Sequence, residues 1–376
     1  MTANVLVSVF GKSDLGRTRD HNEDTFLVAD LARQEADIGV GAVDHVVGQR
    51  GSLFMVADGM GGAAAGELAS SMAAQHIYEH LETQWMADPD SSGDRFAFYL
   101  REAVEYANQL IHGYALQHPE VRGMGTTVTA AGVHDTKLYL AQIGDSRAYL
   151  VRGGRAFQLT KDQSLTQRLV DAGELTEEEA EASARRNIIL QALGPDPRVK
   201  VVLSTEPLRR GDTLLLCSDG LSNQVRRDEL ARFVAEHSDL AALCSALIDT
   251  ANERGGPDNI TVVAARFDGD GLPIPAPDEE PNPTLLRIGS PASHSDDLIP
   301  GLAPPVPPRG PRAPRAPRPG RVAPESAVAT AEPAPPIAAE APVVAAVAAP
   351  SSGRAIGGYL FAAVLVAVLL TWFLSR

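Results

Sequence analysis

The stretch LFMVADGMGGAAAGELAS, residues 53–70, decides the fold. It passes from an apolar, strand-like run into a helical pattern through Asp58, and three of the next four residues are glycine. A turn needs only one or two glycines, so a carboxylate followed by three raises two alternatives. Asp58 either caps a helix or holds a ligand at the end of a buried strand.

The same layout recurs along the chain. Asp145 follows the apolar run LYLAQIG, Asp219 follows TLLLCS, and Asp258 precedes ITVVAARF. Any single Asp-Gly is more often a turn, but together the strand ends would form a shell of carboxylates. Such a shell repels itself unless cations fill it. Oxygen ligands without a Cys or His cluster select Mg²⁺ or Mn²⁺ over zinc.

Short apolar runs alternate with helical patterns throughout residues 1–270. Hairpin spacing, as at Gly153-Gly154, indicates mostly antiparallel sheets with helices outside them. We therefore expect an α+β fold of two stacked, mostly antiparallel sheets flanked by helices. The predicted elements are a helix over 64–81 and strands over 25–29, 52–57, 127–133, 137–143, 148–152, 155–159, 213–217 and 260–267.

The composition changes sharply near residue 270, because 21 of the 27 prolines lie between Pro273 and Pro350. Residues 1–270 are predicted to form the folded domain, and 271–353 a disordered Pro/Ala-rich linker. Five arginines between Arg309 and Arg321 could contact anionic lipid, but a plain tether is favoured because they lie far from the apolar segment that follows.

That segment is IGGYLFAAVLVAVLLTWFL, residues 356–374, which carries no charge. At about 1.5 Å per residue it spans roughly 28 Å, the thickness of a bilayer core. Residues 354–376 are therefore predicted to be a C-terminal transmembrane helix. The N-terminus has no secretory signal, so we expect a single-pass protein of the cell membrane with its folded domain in the cytoplasm.

Charge and cysteine content exclude several classes. The net charge of −15 argues against nucleic-acid binding, which needs Lys and Arg for phosphate contacts. The two cysteines, Cys217 and Cys244, cannot build a disulfide framework and indicate a reducing compartment. Neither begins a Cys-x5-Arg motif, which excludes a thiol-dependent phosphatase.

With these motifs in order, the chain resembles the metal-dependent protein serine/threonine phosphatases (the PPM or protein phosphatase 2C family) in their bacterial form. The resemblance covers about residues 8–267. Its motifs are SDLGRTRDHNED (13–24), VADGMGGAAAGELAS (56–70), GMGTTVTA (123–130), IGDSRAYL (143–150), LTKD (159–162), LLLCSDGLSN (214–223) and GGPDNITVV (255–263).

The resemblance implies a centre of two metal ions at one end of the sheets. Asp58 resembles the carboxylate that bridges both ions. Asp219 and Asp258 resemble further ligands of the first ion, and Glu23 and the Gly59 carbonyl resemble ligands of the second. Water between two such cations has a lowered pKa and attacks phosphorus in line, so no covalent intermediate is needed.

The resemblance assigns further roles. Asp145 resembles a ligand of a third, weaker site in bacterial members, with Asp219 shared. Arg19 resembles the arginine that binds the substrate phosphate, with Arg17 as the alternative register. Asp24 is expected to position metal-bound water without binding the metal directly.

Other residues in the motifs have simpler explanations. Asn22 and Asn259 are expected to fix turns, and Gly125-Thr126-Thr127 to open a core strand. Ser146 and Arg147 are expected to hold the loop of Asp145. The chain departs from some relatives at Met60, where they carry a His proposed as general acid, so leaving-group protonation must come from water or another group. His21 is nearby, but a lone histidine is more often structural.

Residues 162–195 lie where the family carries a flap beside the active site, and we expect this segment to gate or select substrates. The sequence thus predicts a membrane-tethered phosphoserine/phosphothreonine phosphatase that opposes a bacterial Ser/Thr kinase and acts on that kinase's substrates. The alternatives are a catalytically inactive scaffold of the same fold and a phosphatase of small phosphoesters. The complete ligand set argues against the scaffold.

Overall fold

The computed structural model describes residues 4–38 and 41–288. Two antiparallel sheets stack on each other, one of six strands in the order β11-β10-β13-β14-β1-β4 and one of seven in the order β15-β12-β9-β8-β5-β2-β3. The strands are β1 Leu6–Asp14, β2 Thr25–Asp30, β3 Glu35–Ile38, β4 Gly41–Val46, β5 Ser52–Ala57, β6 Gly59–Met60, β7 Gly125–Thr126, β8 Val128–His134, β9 Lys137–Ile143, β10 Arg147–Arg152, β11 Arg155–Gln158, β12 Val202–Pro207, β13 Thr213–Cys217, β14 Ile260–Asp268 and β15 Thr284–Leu285.

Helices cover the outer face of each sheet. The pair α1 and α2 packs on the seven-stranded sheet, and α6 and α7 pack on the six-stranded one. The helices are α1 Ala63–His80, α2 Gly93–Gln117, α3 Leu165–Asp171, α4 Glu177–Glu181, α5 Asp219–Ser222, α6 Arg227–Glu236 and α7 Leu240–Glu253; a π-helical turn, Leu81–Trp85, continues α1, and a 3₁₀ turn, Pro119–Val121, follows α2.

Both faces of the central strands are buried, which explains why most of their residues are apolar. In β13, Leu214 and Leu216 point into the core between the sheets, whereas Leu215 and Cys217 point toward the helices. A strand alternates its side chains between two faces, so a strand between two apolar layers needs apolar residues at every position. The four layers are thus helices, sheet, sheet and helices.

The predicted α+β fold of two mostly antiparallel sheets with flanking helices is confirmed. The predicted strands occur within one or two residues of their expected bounds, and the predicted helix runs over Ala63–His80 before the π-helical turn. Seven strands of the described chain were missed, and three of them, β6, β7 and β15, have only two residues each. Of the others, β1, β3 and β4 alternate apolar with polar residues or are short, and β12 lies beside the seven-stranded sheet's edge.

The folded chain continues past residue 270, where the sequence predicted the domain to end. Leu272 is buried in the core between the sheets, and β15 pairs with β12. Arg209 Nη2 lies 2.7 Å from Glu279, and Leu286 packs against the core beneath the seven-stranded sheet. The proline-rich composition begins before the last packed apolar residues, so composition placed the boundary too early. The domain extends to at least Ile288.

The predicted linker beyond 288 and the predicted membrane span at 356–374 lie outside the described residues. Within residues 4–38 and 41–288, no helix has both the length and the apolar character needed to cross a bilayer.

Candidate metal centre and active site

The sandwich gathers the strand-end carboxylates at one end. Asp58 follows β5, Asp145 lies between β9 and β10, Asp219 opens α5 directly after β13, and Asp258 precedes β14. Asp24, directly before β2, joins them. The charges of the other four raise the pKa of Asp58, so the five side chains form one electrostatic group. The convergence expected from the sequence is present.

Burial is the largest cause of the shifted pKa values in this group. Burial, together with the charges of Asp24 and Asp219, raises the pKa of Asp58 well above its ordinary value. Burial and nearby carboxylates also raise the pKa of Asp24 and of Asp145 to about 7 and that of Asp219 to about 6. These acids are costly to ionise together without a compensating positive charge.

Among these acids, Asp145 has a carboxylate oxygen that could accept such a positive charge. Its side chain is buried, and its Oδ1 has no hydrogen-bond partner among the described residues. A buried acceptor without a partner is rare in proteins and calls for an explanation such as an ion. A hard divalent cation fits this all-oxygen donor set. Among the described residues, no group of three or more Asp, Glu, His or Cys side chains lies close enough together to hold a metal ion by itself.

Two hydroxyl groups hold Asp24. Ser218 Oγ donates to Asp24 Oδ2 at 2.8 Å, and Thr261 Oγ1 donates to the same oxygen at 2.7 Å. Both hydroxyls stand beside strand-end acids, Ser218 before Asp219 and Thr261 three residues after Asp258. Sequence reasoning missed these two residues, although both stand inside motifs that it had singled out.

The glycines around Asp58 allow a close approach to Glu23. A Cβ at Gly59 would lie 2.5 Å from the Glu23 carbonyl oxygen and 2.3 Å from the Gly66 carbonyl oxygen. A Cβ at Gly66 would lie 1.8 Å from Glu23 Oε2. Ser70 Oγ, on the same helix as Gly66, donates to the Glu23 carbonyl at 2.6 Å. Helix α1 therefore supports the Glu23 side of the site from behind.

Arg19 lies at the mouth of the site. Its side chain is 49% exposed, and Nη2 contacts Asp258 Oδ2 at 2.7 Å. The hydrogen bond to Asp258 raises the pKa of Arg19, and the charges of Glu23 and Asp58 add to this effect. Arg17 donates its backbone N–H to the Gly256 carbonyl at 2.7 Å.

Asn22 fixes a turn, as expected, whereas the side chain of Asn259 bonds to residues remote in the sequence. Asn22 Nδ2 donates to Ser13 Oγ at 2.8 Å, and Asn22 Oδ1 accepts from the Asp24 amide at 3.1 Å. Asn259 Oδ1 accepts from the Glu23 amide at 2.9 Å, while its Nδ2 donates to the carbonyls of Leu15 and His21. Asn259 thus joins the strand of Asp258 to the loop of Glu23.

Ser146 and Arg147 hold the loop of Asp145. Arg147 binds Asp162 through two nitrogens, with Nη2 at 2.7 Å and Nε at 3.0 Å. Ser146 Oγ lies 2.7 Å from Thr127 Oγ1. Gly125 and Thr126 form β7, which pairs with Gly59 and Met60 directly after Asp58. The role expected of Ser146 and Arg147 agrees with these contacts, whereas Gly125 and Thr126 pair beside Asp58 and do not open β8, which begins at Val128.

A groove of about 1220 Å³ runs away from Asp145 and Asp219. One wall is the segment predicted as a flap, which contains α3 and α4, and the other begins at α5. Helix α4 starts with a capping box in which Thr176 and Glu179 bond each other's backbone amides. An extended peptide could reach the acidic group along this groove.

An acidic cluster of oxygen donors at one end of such a sandwich is typical of a site for divalent cations. A family model described as protein phosphatase 2C matches residues 41–254. The serine/threonine phosphatase stp of Listeria monocytogenes is 35% identical over 258 residues, covering 68% of this chain and 94% of that one. Protein phosphatase PhpP of Streptococcus pneumoniae is 37% identical over 251 residues, covering 66% and 93%.

Solved structures of serine/threonine phosphatases are also similar to this chain. The serine/threonine phosphatase PstP/Ppp of Mycobacterium tuberculosis is 36% identical, with a TM-score of 0.59, 70% of this chain and 99% of that chain being covered. A PstP catalytic domain in complex with two manganese ions is 35% identical, with a TM-score of 0.57 and the same coverage. The chain belongs to the protein phosphatase 2C family. It is a hydrolase of the protein-serine/threonine phosphatase class.

Proposed function

We propose that this chain removes phosphate from phosphoserine and phosphothreonine in proteins, with Mn²⁺ or Mg²⁺ bound among its strand-end acids. The observation that carries the proposal is the convergence of four acids, Asp58, Asp145, Asp219 and Asp258. Burial and neighbouring carboxylates raise the pKa values of Asp58, Asp145 and Asp219. Acids crowded in this way repel one another when ionised, and a divalent cation that displaces their protons would relieve that repulsion. The relatives named above are serine/threonine phosphatases, which supports the same reaction.

The family resemblance supports an assignment of the residues that would hold the ions. Asp58 would bridge two ions, with Asp219 and Asp258 on the first and Glu23 and the Gly59 carbonyl on the second. Asp145, whose Oδ1 is buried without a partner among the described residues, would share a third ion with Asp219. When bound, such cations lower the pKa of water and neutralise charge on the phosphoryl group.

The chain's own groups orient the substrate. Arg19 is half exposed beside Asp258, where its planar guanidinium can bind two oxygens of a phosphate dianion. Asp24 has its Oδ2 committed to Ser218 and Thr261, which leaves Oδ1 to orient a water in the site. Met60 carries no proton to donate, so water or another group would protonate the leaving group.

Substrate size also favours a protein over a small phosphoester. The groove of about 1220 Å³ extends from Asp145 and Asp219 past α4 to the start of α6. A small phosphoester would occupy only its acidic end, whereas a phosphorylated segment of protein could fill its length. The walls carry charged side chains of both signs, which can select among flanking sequences.

The anchor and partners complete the proposal. Residues 354–376 form a single membrane-spanning helix, the preceding Pro/Ala-rich residues tether the domain, and the catalytic domain lies in the cytoplasm of a bacterium. The 19 uncharged residues at 356–374 support the anchor. The physiological partners are a Ser/Thr kinase and the proteins that it phosphorylates.

The reaction is tested with a phosphothreonine peptide and added Mn²⁺. The full chain should release phosphate, while chelation or Asp58→Asn should lower kcat at least 100-fold. The matched control is Asp37→Asn, an exposed acid on β3, which should behave as the unaltered chain. Activity that survives both chelation and Asp58→Asn would contradict the proposal, and turnover of p-nitrophenyl phosphate alone would favour a small phosphoester.

The anchor has a separate test. The full chain should sediment with membranes, and a chain without 356–374 should stay in the supernatant with unchanged kcat on the peptide. Equal distribution of the two chains would refute the anchor and leave the proposed reaction untouched.

A further inference from the structure

The flap, residues 162–195, is closed at its base by a short neck. Leu190 donates its backbone N–H to the Gln163 carbonyl at 2.7 Å, and Leu165 donates to the Ile188 carbonyl at 2.8 Å. These bonds join the entering and leaving ends of the flap. The part of the flap between Leu165 and Ile188 can therefore move only about a defined base.

The side chain of Gln163 connects this neck to the turn that carries Asp145. Gln163 Oε1 accepts from the Gly144 amide at 3.0 Å and from Gln191 Nε2 at 2.9 Å. The backbone N–H of Gln163 also donates to the Gly144 carbonyl at 2.9 Å. One oxygen atom thus serves the leaving end of the flap and the residue directly before Asp145.

Gly144 has little freedom of its own. Its φ of +98° favours glycine, and a Cβ there would lie 2.6 Å from Thr127 Cγ2. Gln142, which is buried, accepts from the Lys161 amide at 3.3 Å and receives Gln163 Nε2 at its carbonyl at 3.3 Å. A displacement of Gln163 therefore has to change the bonds of Gly144, and Asp145 follows in the chain.

Gln191 is braced on its other side. Lys200 donates its amide to Gln191 Oε1 at 2.7 Å, and Gln191 Nε2 donates to the Lys200 carbonyl at 3.0 Å. Two residues later, Leu193 and Thr126 exchange backbone bonds at 3.1 and 2.9 Å. The bond from Gln191 to Gln163 is thus made only when the leaving end of the flap is seated.

We propose that Gln163 and Gln191 form a latch, a pair of positioning residues that couples the seating of the flap to the placement of the Asp145 carboxylate. A protein substrate that displaces the flap would shift Gln163, whose Oε1 binds both Gln191 and the backbone of Gly144, and so would move Asp145. The inference rests on the proposed function, since it takes Asp145 to lie in the working active site. The latch itself consists of hydrogen bonds that can be measured without catalysis.

The test uses Gln163→Met, Gln191→Met and the double variant of the full chain, with Gln75→Met as control. Methionine matches glutamine in length but has no amide, and Gln75 bonds only Glu79 on the exposed face of α1. Hydrogen exchange of the metal-free proteins should be about tenfold faster at the amides of Leu165 and Leu190 in either single variant, the effect of losing one or two hydrogen bonds.

Coupling and metal binding give the second readout. The effects of the two substitutions on exchange should be less than additive in the double variant, because each of them breaks the contact that the two glutamines share. In calorimetric titration, the weakest Mn²⁺ site should lose about tenfold in affinity in both single variants and keep its affinity in the control. kcat/KM should fall more for the phosphopeptide than for p-nitrophenyl phosphate.

Three results would overturn the latch: unchanged exchange at Leu165 and Leu190, additive effects in the double variant, or faster exchange with an unchanged Mn²⁺ isotherm. If Gln163→Met does not fold, the same comparisons are made with Gln191→Met, at the outer side of the neck. Should the unaltered chain bind no Mn²⁺ and release no phosphate, the proposed function fails, while the exchange data still decide whether the neck bonds are coupled.

Discussion

Asp58 and Thr127 exchange two hydrogen bonds. The Asp58 amide donates to Thr127 Oγ1 at 3.0 Å, and the Thr127 amide donates to the Asp58 carbonyl at 2.9 Å. Thr126 Oγ1 adds a third bond to the same carbonyl at 2.9 Å. The backbone on both sides of Asp58 is therefore fixed by the residues that open β8, so the position of its carboxylate is set before any ion binds.

Thr127→Val should show whether the bonds between Asp58 and Thr127 support catalysis as well as the stability of the fold. Valine keeps the shape but removes the acceptor for the Asp58 amide, which should lower the free energy of unfolding by about 1–3 kcal/mol and kcat at least tenfold. The control is Thr205→Val, whose hydroxyl donates to the Leu138 carbonyl at 2.9 Å away from the site. For both variants, urea unfolding measures the free energy of unfolding and phosphopeptide turnover measures kcat. Equal kcat in the two variants would contradict the role.

The metal-free chain should lose stability as the pH rises from 4 to 8. Asp24 and Asp145 have pKa values of about 7 in the folded chain, against an ordinary 3.8. A carboxyl group with a raised pKa binds more protons when folded, so its contribution is present below pH 3.8 and lost as the pH passes 7.

Guanidinium unfolding in chelator at pH 5 and pH 8 measures this loss. Asp24→Asn should flatten the pH dependence, and Mn²⁺ at pH 8 should raise the unfolding midpoint, because it binds the folded chain. A midpoint that rises with pH in chelator would refute the expectation.

Arg19 and Arg17 should behave differently when each is changed to alanine. Arg19→Ala removes the guanidinium at the mouth of the site, and KM for the phosphopeptide should rise about tenfold or more, as expected for the loss of a charge-assisted contact. Arg17 contributes a backbone bond to Gly256, which alanine keeps, so Arg17→Ala should leave KM within about twofold. The reverse order would assign the phosphate to Arg17.

Shortening the chain should locate the end of the domain. A chain ending at 288 should retain the melting temperature of the full chain, whereas one ending at 270 loses buried Leu272 and the pairing of β15 with β12. It also leaves the buried Glu206 without its bond from the Asn282 amide. The melting temperature of the chain ending at 270 should fall by about 2–4 °C for each kcal/mol of unfolding free energy that these losses remove. Identical melting of both chains would place the boundary at 270.

Met60→Leu should leave the pH profile of kcat unchanged and kcat within about twofold. Met60 pairs with Gly125 in a two-stranded ladder, and its thioether donates no proton. The profile is measured from pH 5 to 9 with the phosphopeptide. Loss of a basic limb in the variant would show that position 60 contributes to proton transfer.

Much of the fold could be predicted from sequence because the central strands leave a strong pattern. After their first residues, Ser52 and Thr213, β5 and β13 are apolar throughout because both faces are buried, and an aspartate follows each strand within two residues. Strands with weaker patterns were missed. In β1, buried Val7 and Val9 alternate with exposed residues, and its place between β4 and β14 depends on partners remote in the chain.

The acids of the site were predictable, but the groups that hold them were not. Asp58 and Asp219 stand out because a charge ends an apolar run. Ser218 and Thr261 look like ordinary small polar residues until folding brings them to the same oxygen of Asp24. Gln163 gives no sequence signal, since its partners at Gly144 and Gln191 meet only when the flap closes on its neck.

The contact between Gly66 and Glu23 offers a way to sort active from inactive copies of this fold. A methyl group at position 66 would meet the Glu23 carboxylate and lie 3.0 Å from the backbone carbon of Gly59, so the carboxylate would have to leave its place for the helix to stay. A chain with every acid intact and alanine at this position would fold and still be disabled. Screening sequences for the acids alone would count such chains as enzymes; the glycine would reveal them.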